Sequence, residues 1–258
     1  PSGLEKDGLY GFRTQLTDSG HAEFAWTGSR GLKVVNVIER YDDFLKEAPN
    51  QRFAKSKPPG TVAAHIVLGQ AAEKLIPDDI QDKAPLTKVV DLAHRKTIEA
   101  LVWLLPVLAA LALIPFWFLS RELIPESPWL APCFFALGPS FCLITMHFDQ
   151  AVYPVLALTS WAAILHGDGK RQSIVAGLFS GLLLWLGLFL SFSLLPAIFI
   201  ALVWLWAIKP NWPWHRMGSM AIGLLAMSAM AWIMWGYDPF ARYQAVMTNH
   251  ADWKQWEW

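Results

Sequence analysis

Apolar and polar positions follow two different patterns along this chain. Up to residue 98 they are interleaved with charges, and Thr61–Ile76 and Thr87–Glu99 carry the three-to-four-residue spacing of amphipathic helices. Lys57-Pro-Pro-Gly60 precedes the first of these as a rigid turn. Beyond residue 98, the stretches 100–120, 127–148, 150–167, 172–208 and 217–237 contain no Asp, Glu, Lys or Arg. Uncharged apolar runs of about 18 residues or more read as crossings of a hydrocarbon layer roughly 30 Å thick, which excludes a soluble single-core protein. As one helix, 172–208 would reach about 55 Å, too long for a single crossing. Ser191-Phe-Ser193 followed by Pro196 supplies a break. The expected fold is therefore an all-α polytopic membrane protein with about six spans, roughly 99–119, 129–146, 151–166, 173–190, 194–208 and 217–236. Residues 1–98 are expected to form an extracytoplasmic loop with amphipathic interfacial helices along the membrane surface. Residues 99–237 form the helical bundle, and 238–258 begin a further extracytoplasmic segment.

Charge sharpens that division. The 21 basic and 21 acidic residues cancel, but 27 of the 42 lie before residue 99, whereas 14 of the 15 Trp lie after it. With six alternating spans, Arg121, Lys170, Arg171, Lys209 and Arg216 share one face, while the other receives only Arg242 and Lys254. Short cytoplasmic loops are enriched in Lys and Arg, so the first face is inside. That parity requires 172–208 to cross twice. Trp212 and Trp214 on the inner face, and Trp253, Trp256 and Trp258 on the outer, suit interfacial belts. Nucleic acid is not an expected partner, because no basic run interleaved with aromatics is present. Cys133 and Cys142 are about 13 Å apart along a helix, beyond disulfide reach, and there is no Cys/His ligand cluster to hold a metal. The chain opens on Pro1-Ser-Gly rather than Met, so a further span ahead of it is expected, as is sequence beyond Trp258.

On the expected outer face, several separate pieces bring ionisable groups to one water-lipid boundary: Asp18-Ser-Gly-His-Ala-Glu23, Asp42-Asp43, Lys57-Pro-Pro-Gly60, Asp149 and Asp238-Pro-Phe-Ala-Arg242. Asp149 sits in so short a connection that its carboxylate must lie at the membrane surface, where a charge is costly and a functional role is the default. Each has a plainer alternative. Asp18 fits a turn, Glu23 a solvated helix charge, Asp42-Asp43 a solvated face, Lys57-Pro-Pro helix punctuation, and Asp149 a helix cap. His21 and His65 lie near the candidate chemistry, but a lone His is more often a packed residue. Gly177-Leu-Phe-Ser-Gly181 fits the small-xxx-small pattern and reads as ordinary helix packing. The Trp and Phe surplus reads as lipid anchorage. Trp26, isolated in the polar third, is exempted as a candidate substrate contact.

A long outer first loop with an acidic pair, a basic-Pro-Pro motif opening an amphipathic helix, and short paired spans together resemble the GT-C superfamily. These are membrane glycosyltransferases that use lipid-phosphate sugars, among them the protein O-mannosyltransferases and lipid A aminoarabinose transferases. The resemblance covers roughly 10–258. It is carried by Phe53-Ala-Lys-Ser-Lys-Pro-Pro-Gly60, similar to a His/Lys-Pro-Pro-Leu motif with Gly60 in place of Leu, and by Gly236-Tyr-Asp-Pro-Phe240, which is similar to uncharacterised bacterial members.

What the resemblance implies is transfer of a sugar from a polyprenyl-phosphate donor to a glycan, lipid or protein acceptor on the extracytoplasmic face of a bacterial plasma membrane. An acceptor hydroxyl attacking the anomeric carbon needs a carboxylate as general base, and the departing phosphate needs a cation or divalent metal. Asp18 matches the family's loop acid, with Glu23 as the alternative. Lys57, Asp149, Arg242 and Trp26 are the candidate donor-phosphate and substrate contacts. Two rivals stand beside this expectation. A transporter would show ionisable residues near span centres and repeated halves, whereas these stretches are free of charge. A receptor or assembly component would tolerate neutralisation of Asp18, Lys57 and Asp149.

Overall fold

The computed structural model describes residues 10–19, 22–47, 52–80, 90–138, 147–166, 170–208 and 214–256. Among these residues every regular element is a helix. Four are long and apolar enough to cross a membrane, Leu92–Leu123, Phe148–Leu165, Arg171–Leu190 and Trp214–Trp235, and they define an integral membrane protein. Of the other two expected spans, 129–146 lies partly outside the described residues. The segment after the Ser191–Ser193 break forms a helix of 15 residues, Leu194–Ile208. At 1.5 Å per residue that is about 22 Å, less than the hydrocarbon thickness.

The chain divides into two units. The first takes residues up to Val107, 146–148 and 240–258. It contains α1 (Tyr10–Asp18), α2 (Ala22–Gly28), α3 (Val34–Glu39), α4 (Tyr41–Glu47), α5 (Arg52–Lys55), α6 (Gly60–Leu75), most of α7 (Leu92–Leu111) and α14 (Pro239–Trp256). The expected amphipathic helix from Thr87 begins only at Leu92 among the described residues and runs on past residue 98 without interruption.

The core of this unit is Phe24, Val37, Tyr41, Leu45, Ala54, Val62 and Ile66, with Leu32, Val34, Phe44 and Phe53 packed around it. Helices α2 and α6 meet backbone to backbone. A Cβ on Gly69 would lie 2.1 Å from the Gly28 carbonyl oxygen, and one on Gly28 would lie 2.4 Å from that of His65. No side chain fits between them, so the helix the sequence marks as amphipathic is clamped along one face by protein. Helix α1 is tied to α7 by a buried ion pair, the Arg13 guanidinium meeting both carboxylate oxygens of Glu99.

The second unit takes residues 108–145 and 149–239. It holds α8 (Leu113–Leu123), α9 (Leu130–Leu137), α10 (Phe148–His166, from Asp149), α11 (Lys170–Leu190), α12 (Leu194–Ile208) and α13 (Trp214–Trp235). The irregular step at Ala112 between α7 and α8 has a local cause: Pro115 has no N–H to give the carbonyl four residues earlier. Leu119, Trp161, Ile164, Leu184, Leu194 and Met220 form its core.

The small-xxx-small segment does what its pattern implies. A Cβ on Gly181 would lie 2.2 Å from the Met220 carbonyl oxygen, and one on Gly177 would lie 2.6 Å from the Ser219 side chain. Without a hydrophobic drive between helices in lipid, such backbone approach is what brings α11 and α13 together. Ser160 on α10 and Ser180 on α11 add a buried hydroxyl pair at 2.5 Å. Arg216 donates to the last-turn carbonyls of α10, Ile164 at 2.7 Å and Leu165 at 3.3 Å, and so caps that helix. Gly236, at φ 65°, closes α13 by returning its N–H to the Trp232 carbonyl at 2.9 Å.

Candidate functional site

The segment that carries the basic-Pro-Pro motif is held at both ends. Short helix α5 begins with backbone N–H groups that no residue of its own can satisfy. Glu23, from α2, supplies the acceptor: its Oε1 takes the Ala54 N–H at 2.6 Å, and the Arg52 and Phe53 N–H groups also bond the carboxylate. Burial pushes the Glu23 carboxyl above its ordinary value, while these backbone bonds and the Lys57 charge pull it back. The net direction is upward.

The other end of the segment is held from α14. Arg242, only 7% exposed, donates Nε and Nη2 to the Lys57 carbonyl at 3.1 and 2.9 Å. Nη2 also reaches the carbonyls of Lys55 at 2.8 Å and Ala54 at 3.3 Å. Nη1 pairs with Asp42 at 3.0 Å, and the guanidinium carbon lies 4.7 Å from the centroid of the Tyr41 ring. Tyr41 Oη donates to the Ala54 carbonyl at 3.0 Å, and Asn249 Nδ2 to that of Lys55 at 3.0 Å. All three guanidinium nitrogens bond within the unit, and Arg242, expected to contact a donor phosphate, positions the Lys57 turn. Asp42 is its ion-pair partner and, with its side chain 74% exposed, still belongs to the solvated face expected of it. Asp43 fits the same expectation, pairing with Arg40 and Lys46 at the surface.

Lys57 itself is left to the side chains. Its Nζ lies 5.5 Å from the centroid of the Phe24 ring, and Phe24 stacks on His65 at 5.3 Å. His65 meets the edge of Phe148 at 5.0 Å and donates Nδ1–H to the Thr61 carbonyl at 2.7 Å. This is a packed histidine, as a lone His usually is. Glu23 and Phe24, adjacent on α2, therefore bring a carboxylate and an aromatic face to the same lysine.

Asp18 is the exposed last residue of α1. Trp26 is exposed on α2, one turn beyond Glu23. Asp149 belongs to the second unit, in the first turn of α10 and 4% exposed, the position of a carboxylate favoured by a helix N-terminus. His21 and Trp212 lie outside the described residues. Among the described residues, no three His, Cys, Asp or Glu side chains come together as metal ligands. Glu23 is held by backbone N–H groups and Asp42 by Arg242.

Tyr41 and Asn249 went unmarked in the sequence. Each acts on a carbonyl, and a carbonyl carries no residue-specific signal. No protein-family model matches the chain, and no curated protein or solved structure matches it. What fold and site define is the class, an integral membrane protein that is helical across its described residues and whose charged first unit holds the Glu23 carboxylate and Lys57 at the two ends of α5.

Removing the guanidinium tests the positioning role. In Arg242→Ala the Ala54 and Lys55 carbonyls keep Tyr41 and Asn249, but that of Lys57 loses both bonds from α14. We expect a loss of about 2–3 kcal/mol, with faster amide exchange across 54–57. Arg242→Lys restores only part of it, since an ammonium is a point charge rather than a planar fork. Full stability in Arg242→Lys, measured by thermal unfolding in detergent, would show that the fork is not needed.

Proposed function

We propose that this protein is a membrane glycosyltransferase that moves a sugar from a polyprenyl-phosphate donor to an acceptor hydroxyl at the extracytoplasmic face. In this reading the chain crosses a bacterial plasma membrane six times, with 129–146 and 194–208 as the two shorter crossings. One observation carries it: a half-buried carboxylate, raised above its usual range, and a lysine share one turn that protein contacts hold in place. That pairing supplies both groups the reaction needs. Glu23 takes the proton of the acceptor hydroxyl as its oxygen bonds to the anomeric carbon. The bond from that carbon to the phosphate oxygen breaks, and the phosphate leaves with the electron pair, its charge met by Lys57. A carboxylate raised above its ordinary value is the stronger base once ionised. Asp18, exposed at the end of α1, is the alternative base.

A second reading also has support. Glu23 and Arg242 both hold α5 and the turn, which suits a rigid docking loop on a membrane assembly component. Full-length protein in lipid, given a panel of radiolabelled polyprenyl-phosphate sugars, separates the two. Release of polyprenyl phosphate that falls in Lys57→Gln supports transfer at this turn. No consumption of any donor would remove the enzyme and leave the assembly component.

A further inference from the structure

Helix α2 turns one large side chain outward. The Trp26 indole is 41% exposed, while Phe24, Ala25, Thr27 and Gly28 on the same short helix are buried. Rotation cannot hide it, because the backbone contact at Gly28 and Gly69 locks α2 onto α6. The indole is also held in orientation. Ser29 Oγ donates to the Trp26 carbonyl at 2.7 Å just past the helix end. Gly31, at φ 64°, then turns the chain, and the Arg30 guanidinium carbon lies 4.6 Å from the ring centroid. An exposed aromatic ring under a cation is attracted through its quadrupole, which fixes the ring without covering all of it.

The position of this ring matters as much as its exposure. Trp26 follows Glu23 by three residues, so on one helix face their Cβ atoms are about 5–6 Å apart. An aromatic face with a guanidinium on one side and a carboxylate one turn away suits a ligand that is apolar across its ring and hydroxylated at its rim. A pyranose has that character: its axial C–H groups meet the negative π-face, and its hydroxyls reach charged donors and acceptors. A hydrocarbon chain would satisfy the ring alone.

We propose that Trp26, held by Arg30, is a stacking platform that places a pyranose ring beside Glu23. The identity of the pyranose as a transfer substrate rests on the glycosyltransferase reading; the binding does not. The test uses the full chain in lipid nanodiscs and saturation-transfer NMR with the methyl glycosides of glucose, mannose and galactose. At least one is expected to receive saturation at its ring C–H positions, with affinity about five- to tenfold weaker in Trp26→Leu and intermediate in Trp26→Phe. Arg30→Gln weakens it less. Equal signal in Trp26→Leu and wild type, or none from any glycoside, would overturn the platform. A lipid anchor is tested in parallel: Trp26→Cys, made with Cys133→Ser and Cys142→Ser, carries a polarity-sensitive dye. Emission typical of hydrocarbon overturns the proposal, and emission typical of water supports it. Trp26-dependent glycoside binding in a protein that consumes no donor supports the platform while removing the transfer reading.

Discussion

On the proposed mechanism, Glu23→Gln is expected to lower kcat for sugar transfer by about 10²- to 10⁴-fold, with KM for the donor close to wild type. Glutamine keeps one oxygen that can accept the Ala54 N–H, so α5 retains part of its cap. The pH profile separates these roles. A base works deprotonated, so kcat/KM rises with pH through the Glu23 value, and burial places that limb above the ordinary carboxylate range. Lys57 pulls the value down, so Lys57→Gln is expected to move the limb to higher pH as well as lower its plateau. Stability carries the same signature with opposite sign. Because the folded state favours the protonated carboxyl, the contribution of Glu23 is fully present below the unfolded value and is lost as pH rises through the folded one. Glu23→Gln should flatten the fall of Tm across that window. A kcat within twofold of wild type in Glu23→Gln would transfer the base role to Asp18, whose replacement by Asn is the companion measurement.

The buried pair between α1 and α7 has the largest expected effect on folding. Arg13 and Glu99 side chains are 6% and 4% exposed, and the second guanidinium bond measures 3.1 Å. Glu99→Gln removes the carboxylate that the buried Arg13 guanidinium meets with two nitrogens, which we expect to cost about 3–5 kcal/mol. The double replacement Arg13→Met with Glu99→Leu removes both charges together and is expected to be nearly neutral or stabilising, because the desolvation of two ions disappears with their attraction. Denaturation in mixed micelles measures both. A double variant as unstable as the single one would show that the pair contributes more than its own compensation.

Some of this architecture was legible because its causes are local. Ser191-Phe-Ser193 stops one helix and lets another begin at Leu194 for reasons contained in those residues, and Gly177 with Gly181 announces a close helix contact by spacing alone. The start of the first long helix was less clear. Charges at Arg95, Lys96 and Glu99 read as part of a separate amphipathic helix ending at Glu99, whereas they lie inside one helix that begins at Leu92 and runs on to Leu111, with Glu99 neutralised by Arg13 and Lys96 by Asp78. Pairing across more than 80 residues, as between Arg13 and Glu99, is invisible to a local pattern. Residues 194–208 form a helix with the bounds the sequence marked, Leu194–Ile208, because the break at Ser191–Ser193 is a local signal. At the site, the sequence marked Glu23 and Lys57 as charges worth following. It gave no sign that Glu23 caps α5, or that Arg242 spends its donors on carbonyls, because the partners are backbone atoms brought near only by the fold.

That arrangement also fixes an order of events during synthesis. Arg242 follows Lys57 by 185 residues. At about 5–20 residues per second the ribosome needs roughly 10–40 s to make the second after the first, and the apolar stretches emerge in that interval. Throughout it, α5 has its Glu23 cap but lacks the guanidinium that gathers the three carbonyls at its other end. The Lys57 turn is therefore set only after the helices of the second unit have been made, and a nascent chain stopped before Pro239 exposes this turn without its clasp.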